Sequence, residues 1–346
     1  VIAARYTQGG GLEIGNAPEP QPGPHDLLLD VVAASICGTD AKIVRHGHRK
    51  LRQGQTITLG HEFVGRVIKA DSSGRWPVGR LVGVVPNIGC GGCEMCARGL
   101  GNMCPTYSAF GIDRDGAHAS QVVVPAAAIA QGLVIALAQN TDVVNAALAE
   151  PLSCAVSSIR NCRLEPGDTV LIYGAGPMGL LNLAVALCSG ASEVIVVDKN
   201  ADRLELALKM GASFTVDATR CEVAQAVRDC TRDRGMDVAI VAVPAAEPQA
   251  QAISLLAPFG RLCLFAGLPR GADAVSLDTN AIHYRNLVVT GMTGGSPRDY
   301  LDATRLIQSG RVDVRRVVSH VLPLSELRQA YDLVLGGRAM KVVLTR

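Results

Sequence analysis

The chain has 346 residues, 48% of them apolar and only 3% aromatic, and its 33 Lys plus Arg nearly balance 31 Asp plus Glu, for a formal net charge of +2. That balance gives no electrostatic reason to expect nucleic acid or an anionic membrane as partner, so a small molecule is the expected one. The length is enough for about two domains with substantial cores.

The opening VIAARYTQGG lacks the basic-then-apolar form of a secretory leader, and the apolar run at 133–139 is too short to cross hydrocarbon, so a cytoplasmic protein is expected. In that reducing compartment, clustered members of the 11 cysteines bind metal or carry chemistry more often than they form permanent disulfides.

The first 125 residues mix short β-rich runs (DLLLDVVAAS, HEFVGRVIKA, ASQVVVP) with Gly/Pro turns such as PEPQPGP. This reads as a mostly β, loop-rich domain without continuous helix. Within it, SICGTD carries Cys37, and LGHEFVG carries His61 and Glu62. A cysteine, a histidine and a distant carboxylate can give an ion three ligands and leave a fourth position for substrate. Taken singly, Cys37 reads as a small buried hydrophobe, His61 as a satisfied core histidine and Glu62 as the partner of an arginine. Their company shifts the balance toward a reactive site.

Residues 89–104 read GCGGCEMCARGLGNMC, which spaces Cys90, Cys93, Cys96 and Cys104 as C-x2-C-x2-C-x7-C. Such spacing lets sulfurs converge on one zinc ion at about 2.3 Å, and four thiolates leave no open position, so this site staples a lobe and performs no reaction. An iron–sulfur cluster and ligand-free thiols are the competing readings.

From 141 the texture turns Ala-rich and helical (TDVVNAALAEPLSCAVSSIRNC), and Glu150 in AEPLSC is the candidate distant carboxylate for the site at Cys37 and His61. A domain boundary is placed at 153. Short strands, apolar on both faces, then alternate with helices: TVLIY at 169–173, a helix across 178–189, EVIVV at 193–197, a helix at 201–210, SFTV, a helix at 220–231, DVAIVA, a helix near 247–256, RLCLFAG and NLVVTG. Buried parallel strands with helical crossovers give this rhythm.

YGAGPMG sets Gly174, Gly176, Pro177, Met178 and Gly179 between the first of those strands and its helix. In a G-x-G-x-x-G turn the glycines bend the chain, admit a pyrophosphate to the helix N-terminus and let helix meet strand. Asp198 ends the second strand at the expected spacing, where a carboxylate accepts ribose hydroxyls and repels a ribose phosphate; this favours NAD over NADP, with Lys199 and Arg203 nearby as the opposing feature. Residues 291–346 close on KVVLT, a strand expected to return to the first domain.

Taken together, CGTD, GHE, the four-cysteine lobe, EP and GAGPMG resemble the medium-chain, zinc-dependent alcohol and polyol dehydrogenase family, above all its sorbitol (polyol) and threonine branches. The resemblance implies an α/β and β fold: a GroES-like catalytic domain (1–153, completed by 291–346) and a doubly wound Rossmann domain (154–290). It implies Cys37 and His61 as catalytic-zinc ligands, with Glu62 or Glu150 completing the sphere directly or through water, beside the structural zinc of the lobe.

Thr39 would then bind the reacting oxygen. Many relatives have a histidine where this chain has Lys42, which leaves His46, His48 or water as the outer proton route. His118 replaces a phenylalanine that borders the substrate pocket in relatives, so its imidazole is a candidate hydrogen-bond partner for a polar substrate, with structural packing or a surface role as the competing reading. The expected activity is oxidation of a polyol's secondary hydroxyl with hydride transfer to NAD. An amino-alcohol substrate (threonine or an aminocyclitol), or a catalytically silent nucleotide- and zinc-binding relative, are the alternatives. A homotetramer or homodimer, joined near 286–291, is expected by the same resemblance.

Overall fold

The computed structural model describes residues 1–72, 74–269, 271–272 and 274–346. The chain divides into two compact units, one made of Val1–Ser153, Gly294–Gly310 and Val314–Arg346, the other of Cys154–Thr293 and Arg311–Asp313. The return to the first unit therefore starts at Gly294, a few residues beyond 291, and a short stretch at 311–313 packs with the second unit. No helix among the described residues is long and apolar enough to cross a membrane.

The larger sheet of the first unit runs in the order Val134–Ala136, Leu81–Val84, Glu62–Lys69, Leu27–Ile36, Val342–Thr345, His320–Pro323. Leu27–Ile36 is its axis. The first half of this strand alternates buried and half-buried positions, whereas its last four residues are all buried, so the strand enters the core as it approaches Cys37. Leu27, Leu29, Val31, Phe63, Val82 and Val84 join one core cluster, and Ile36, Ile43, Leu59, Tyr331 and Val342 another. Each large apolar side chain so enclosed stabilises the unit by about 1.5–3 kcal/mol relative to exposure.

Two antiparallel pairings fix the site end of this sheet. Ser35 lies opposite Glu62 on one side and opposite Val343 on the other, and Ile36 opposes Val342. The C-terminal end of Leu27–Ile36 thus meets the N-terminal ends of two strands remote in sequence.

The expectation of no continuous helix in the first 125 residues fails at Gly38–His46, nine residues of α-helix immediately after Cys37. Its start signal is disguised. Cys37 occupies the cap position, where serine or threonine is usual, with its Sγ accepting from the Thr39 N–H at 3.4 Å, while the Asp40 carboxylate accepts from the Cys37 N–H at 2.8 Å. The cysteine lobe holds only a four-residue helix, Glu94–Ala97, and a 3-10 turn, Gly101–Met103.

The second unit is a parallel sheet in the order Phe214–Asp217, Glu193–Asp198, Thr169–Tyr173, Met236–Val241, Leu256–Leu264, Val288–Gly291. All five residues of Thr169–Tyr173 are buried, as a central strand covered on both faces requires. Strand order reverses on either side of Thr169–Tyr173, and in such sheets the crevice beyond the carboxyl end at the reversal is the ligand position. Gly174 stands there. The strand containing RLCLFAG begins earlier than expected, at Leu256, because the chain passes from helix Ala246–Leu255 into extended backbone without a loop.

Candidate active site

In the first unit, Cys37, His61 and Glu62 converge, with a potential ligand atom from each lying within 4.8 Å of the other two. The sheet register explains the meeting: Cys37 leaves the axial strand, and Glu62 opens the strand paired with it. Glu62 is fully buried, His61 is buried and Cys37 is half-buried. Glu150, in the first turn of helix Ala149–Asn161, is also buried, but the structure does not bring it into this compact trio.

Three supporting residues carried no role in the sequence reading. Asp40 binds the Cys37 backbone through Oδ2 and faces His61 Nδ1 at 3.6 Å through Oδ1, so a single carboxylate fixes two members of the trio. Burial opposes charge on Asp40, but His61 and His118 outweigh it and bring the carboxyl to about 2. Burial opposes charge on His61 as well, yet Asp40 and then Cys37 hold its imidazole well above its ordinary value. A metal bound by His61 would have to displace the proton so retained.

Lys341 and Ser35 complete the surroundings. Lys341, only 4% exposed, donates to Glu62 Oε2 at 2.5 Å, and Ser35 Oγ donates to the same oxygen. Burial works against the ammonium, but Glu62, then Cys37 and more weakly Glu150, raise its pKa above the ordinary lysine value. Glu62 therefore has a cationic partner, a lysine in place of the arginine considered from sequence. Asp40 was visible within CGTD, three residues after a helix-capping cysteine; Lys341, a charge opening the apolar run VVLT, was the one other local signal.

Of the two readings of His118, the structure supports packing over a place in the substrate pocket. His118 is completely buried, Nε2 donates to the Ser35 carbonyl at 3.2 Å, and Nδ1 lies 2.7 Å from the Tyr331 hydroxyl. Burial, the largest influence, lowers its pKa despite Asp40 and the Ser35 carbonyl. A neutral ring with Nε2–H leaves Nδ1 to accept from Tyr331, so neither nitrogen is left for a substrate. Thr39 is half-buried in the first turn of Gly38–His46, and Lys42 is exposed on the same helix.

The four cysteines of the lobe also converge, their sulfurs mutually within 4.8 Å. The Cys90 N–H reaches Cys104 Sγ at 3.3 Å. A side chain at Gly89 would set its Cβ 2.4 Å from Cys96 Sγ, so glycine is required where the chain skirts the sulfurs. Four thiols at this separation suit a tetrahedral ion with no vacant position, whereas the thiol, imidazole and carboxylate of the first site suit zinc with a position open. Both donor sets fit the metal.

In the second unit, Gly174 adopts φ +104°, and helix Pro177–Cys188 begins with Pro177 and Met178 just after Gly176. A Cβ on Gly179 would fall 1.7 Å from the Gly174 carbonyl oxygen, which no rotamer relieves. Gly179→Ala is expected to cost about 2–3 kcal/mol of stability and to weaken nucleotide binding, read by thermal melting and by titration with the nucleotide. An unchanged melting temperature would show that this turn is not as tightly packed as described.

Asp198 has backbone partners of its own. Its Oδ2 accepts from the Ala175 N–H at 2.6 Å, and Oδ1 from the Lys199 and Asn200 N–H groups at 2.8 and 2.9 Å. The carboxylate thus ties the glycine turn to the end of the second strand and keeps acceptor capacity for one further donor. Lys199 is exposed, and the Arg203 guanidinium approaches the position a Gly176 Cβ would occupy, at 4.0 Å.

Comparison with known proteins gives the same two parts. Residues 23–133 match the family described as alcohol dehydrogenase GroES-like domain, and residues 177–309 match the zinc-binding dehydrogenase family. The L-threonine 3-dehydrogenase of Pyrococcus furiosus is 34% identical over 340 residues, covering 96% of this chain and 94% of that protein. That of Bacillus subtilis is 32% identical over 337 residues, covering 96% and 95%. Among solved structures, a Sinorhizobium meliloti protein described as a zinc-binding dehydrogenase, bound to NADP, superposes with a TM-score of 0.90 at 32% identity, covering 100% of this chain and 99% of that one. An alcohol dehydrogenase from a Thermus species gives 0.89 at 29% identity, with the same coverage.

Proposed function

The chain belongs to the medium-chain zinc-dependent dehydrogenase family, and from that premise we propose that it oxidises the secondary hydroxyl of an amino alcohol of the L-threonine type, with NAD as hydride acceptor. The observation that carries this reading is the convergence of Cys37, His61 and Glu62 in a chain about a third identical, over nearly its whole length, to L-threonine 3-dehydrogenases. Those relatives favour the amino alcohol over the polyol that the motifs first suggested.

Cys37, His61 and Glu62, with Glu150 nearby on its helix, are the residues that would hold the catalytic zinc; Cys90, Cys93, Cys96 and Cys104 would hold the structural one. Bound at the first site, zinc supplies a Lewis acid for the substrate hydroxyl. The Thr39 hydroxyl accepts the proton of that group and passes it outward, past Lys42 three residues along the same helix face, to solvent. NAD held at the glycine turn of the second unit would supply the hydride acceptor, so that one ketone, one reduced nucleotide and one proton would leave for each alcohol consumed.

On the nucleotide side, the remaining acceptor capacity of Asp198 takes a ribose hydroxyl and its charge disfavours a ribose phosphate. Self-association is proposed through Val288–Gly291, a sheet-edge strand on which Val288 is 46% exposed.

The test is a screen of zinc-loaded protein with NAD and with NADP against L-threonine, aminocyclitols, polyols and simple secondary alcohols, following reduced nucleotide. L-Threonine or a near analogue with NAD is expected to exceed any polyol by about tenfold or more in kcat/KM. A polyol in first place would return the substrate assignment to polyols, NADP in first place would overturn the role given to Asp198, and no turnover at all would leave a silent binding protein.

A further inference from the structure

Glu62 is held by groups that a bare ligand would not need. Its Oε2 receives both the Lys341 ammonium and the Ser35 hydroxyl, whereas its Oε1, fully enclosed, has no hydrogen-bond partner among the described residues. Lys341 itself is delivered by the C-terminal return: it immediately precedes Val342–Thr345, whose register sets Val342 opposite Ile36 and Val343 opposite Ser35. An ammonium at 4% exposure against a carboxylate at 0% is too costly an arrangement to be incidental surface pairing.

We propose that Lys341 is a positioning residue for the catalytic metal: with Ser35 it occupies Glu62 Oε2, so that Glu62 presents one oxygen, Oε1, to the ion while the ammonium offsets the carboxylate's charge. The inference rests on the zinc reading of the Cys37 site. Its consequence is a ligand set that binds the ion less tightly than its donors would alone and leaves the ion more electron-poor. Two effects of removing Lys341 compete. Loss of an orienting partner loosens a metal site, whereas loss of a cation beside a dication tightens it. The charge is the larger effect here, because Ser35 still orients the carboxylate and the enclosed setting screens little.

The experiment measures the affinity of the Cys37 site for zinc by chelator competition, and the visible spectrum of the cobalt-substituted site, in full-length protein. Lys341→Met is expected to hold zinc about tenfold more tightly and to alter the cobalt spectrum, whereas Lys341→Arg behaves like the parent. Ser35→Ala, which keeps all charges and removes only an orienting donor, is expected to hold zinc about threefold less tightly, and Lys341→Gln, which removes the charge but keeps a donor, serves if Lys341→Met does not fold. In a Glu62→Gln background the Lys341→Met change should shrink below about twofold, since the two residues act through each other. Weaker or unchanged binding in Lys341→Met, or an undiminished change in the Glu62→Gln background, overturns the proposal. If the parent loads zinc only at the four cysteines, the metal reading itself fails, a result separate from any behaviour of the variants.

Discussion

Cys37→Ser is expected to lower turnover by about a thousandfold or more, to remove one zinc per chain and to leave the fold intact. The separation of these effects follows from the two jobs of the side chain. As a donor, the thiolate carries the charge that a neutral hydroxyl cannot supply to the ion. As a helix cap, Cys37 Sγ accepts the Thr39 N–H at 3.4 Å, and a serine hydroxyl performs that role at least as well. The stability of the metal-free chain should therefore move by no more than about 0.5 kcal/mol. The measurements are zinc content, initial rate and thermal melting on the same preparation. Retained turnover with one zinc fewer would remove Cys37 from the chemistry.

Cys93→Ser should do the reverse. Between residues 90 and 103 no residue is buried, and the segment has only one short helix and one 3-10 turn. Apolar burial cannot offset the entropy of ordering such a stretch, at about 1–2 kcal/mol per residue, so the cross-link through metal must. Loss of one thiolate is expected to lower the melting temperature by about 10 °C and, by loosening the lobe, to let trypsin cleave after Arg98, which is already exposed. Turnover measured well below the transition should fall much less than in Cys37→Ser. A variant with unchanged melting and unchanged cleavage would show that the lobe is held by protein contacts alone.

The contrast between these two sites bears on what could be read in advance. The lobe is a local object: its four ligands lie within fifteen residues, and spacing alone implies convergence. The glycine turn is local too, because strand, turn and helix follow one another, and so is the alternation that makes the parallel sheet. Cys37 and Glu62 meet instead through a pairing between strands, and Lys341 arrives from nearly the other end of the chain. Helix Gly38–His46 escaped notice for a smaller reason, the cysteine standing where a hydroxyl residue usually marks a start. The pocket and packing readings of His118 could not be separated from sequence, because position relative to a motif does not report burial and its two partners, Ser35 and Tyr331, lie 83 and 213 residues away.

By itself the sequence determined whatever depends on neighbours along the chain: apolar periodicity, turn glycines, ligand spacing and the near-neutral charge. Tertiary structure alone decided which buried charges meet, that Glu62 answers to Lys341 and Ser35, that His118 faces inward, and that Glu150 lies outside the compact trio. The reason is physical. A buried ion is tolerated only beside a partner, and the partner's identity is fixed by sheet register, which pairs residues hundreds of positions apart and leaves no periodic mark on either segment.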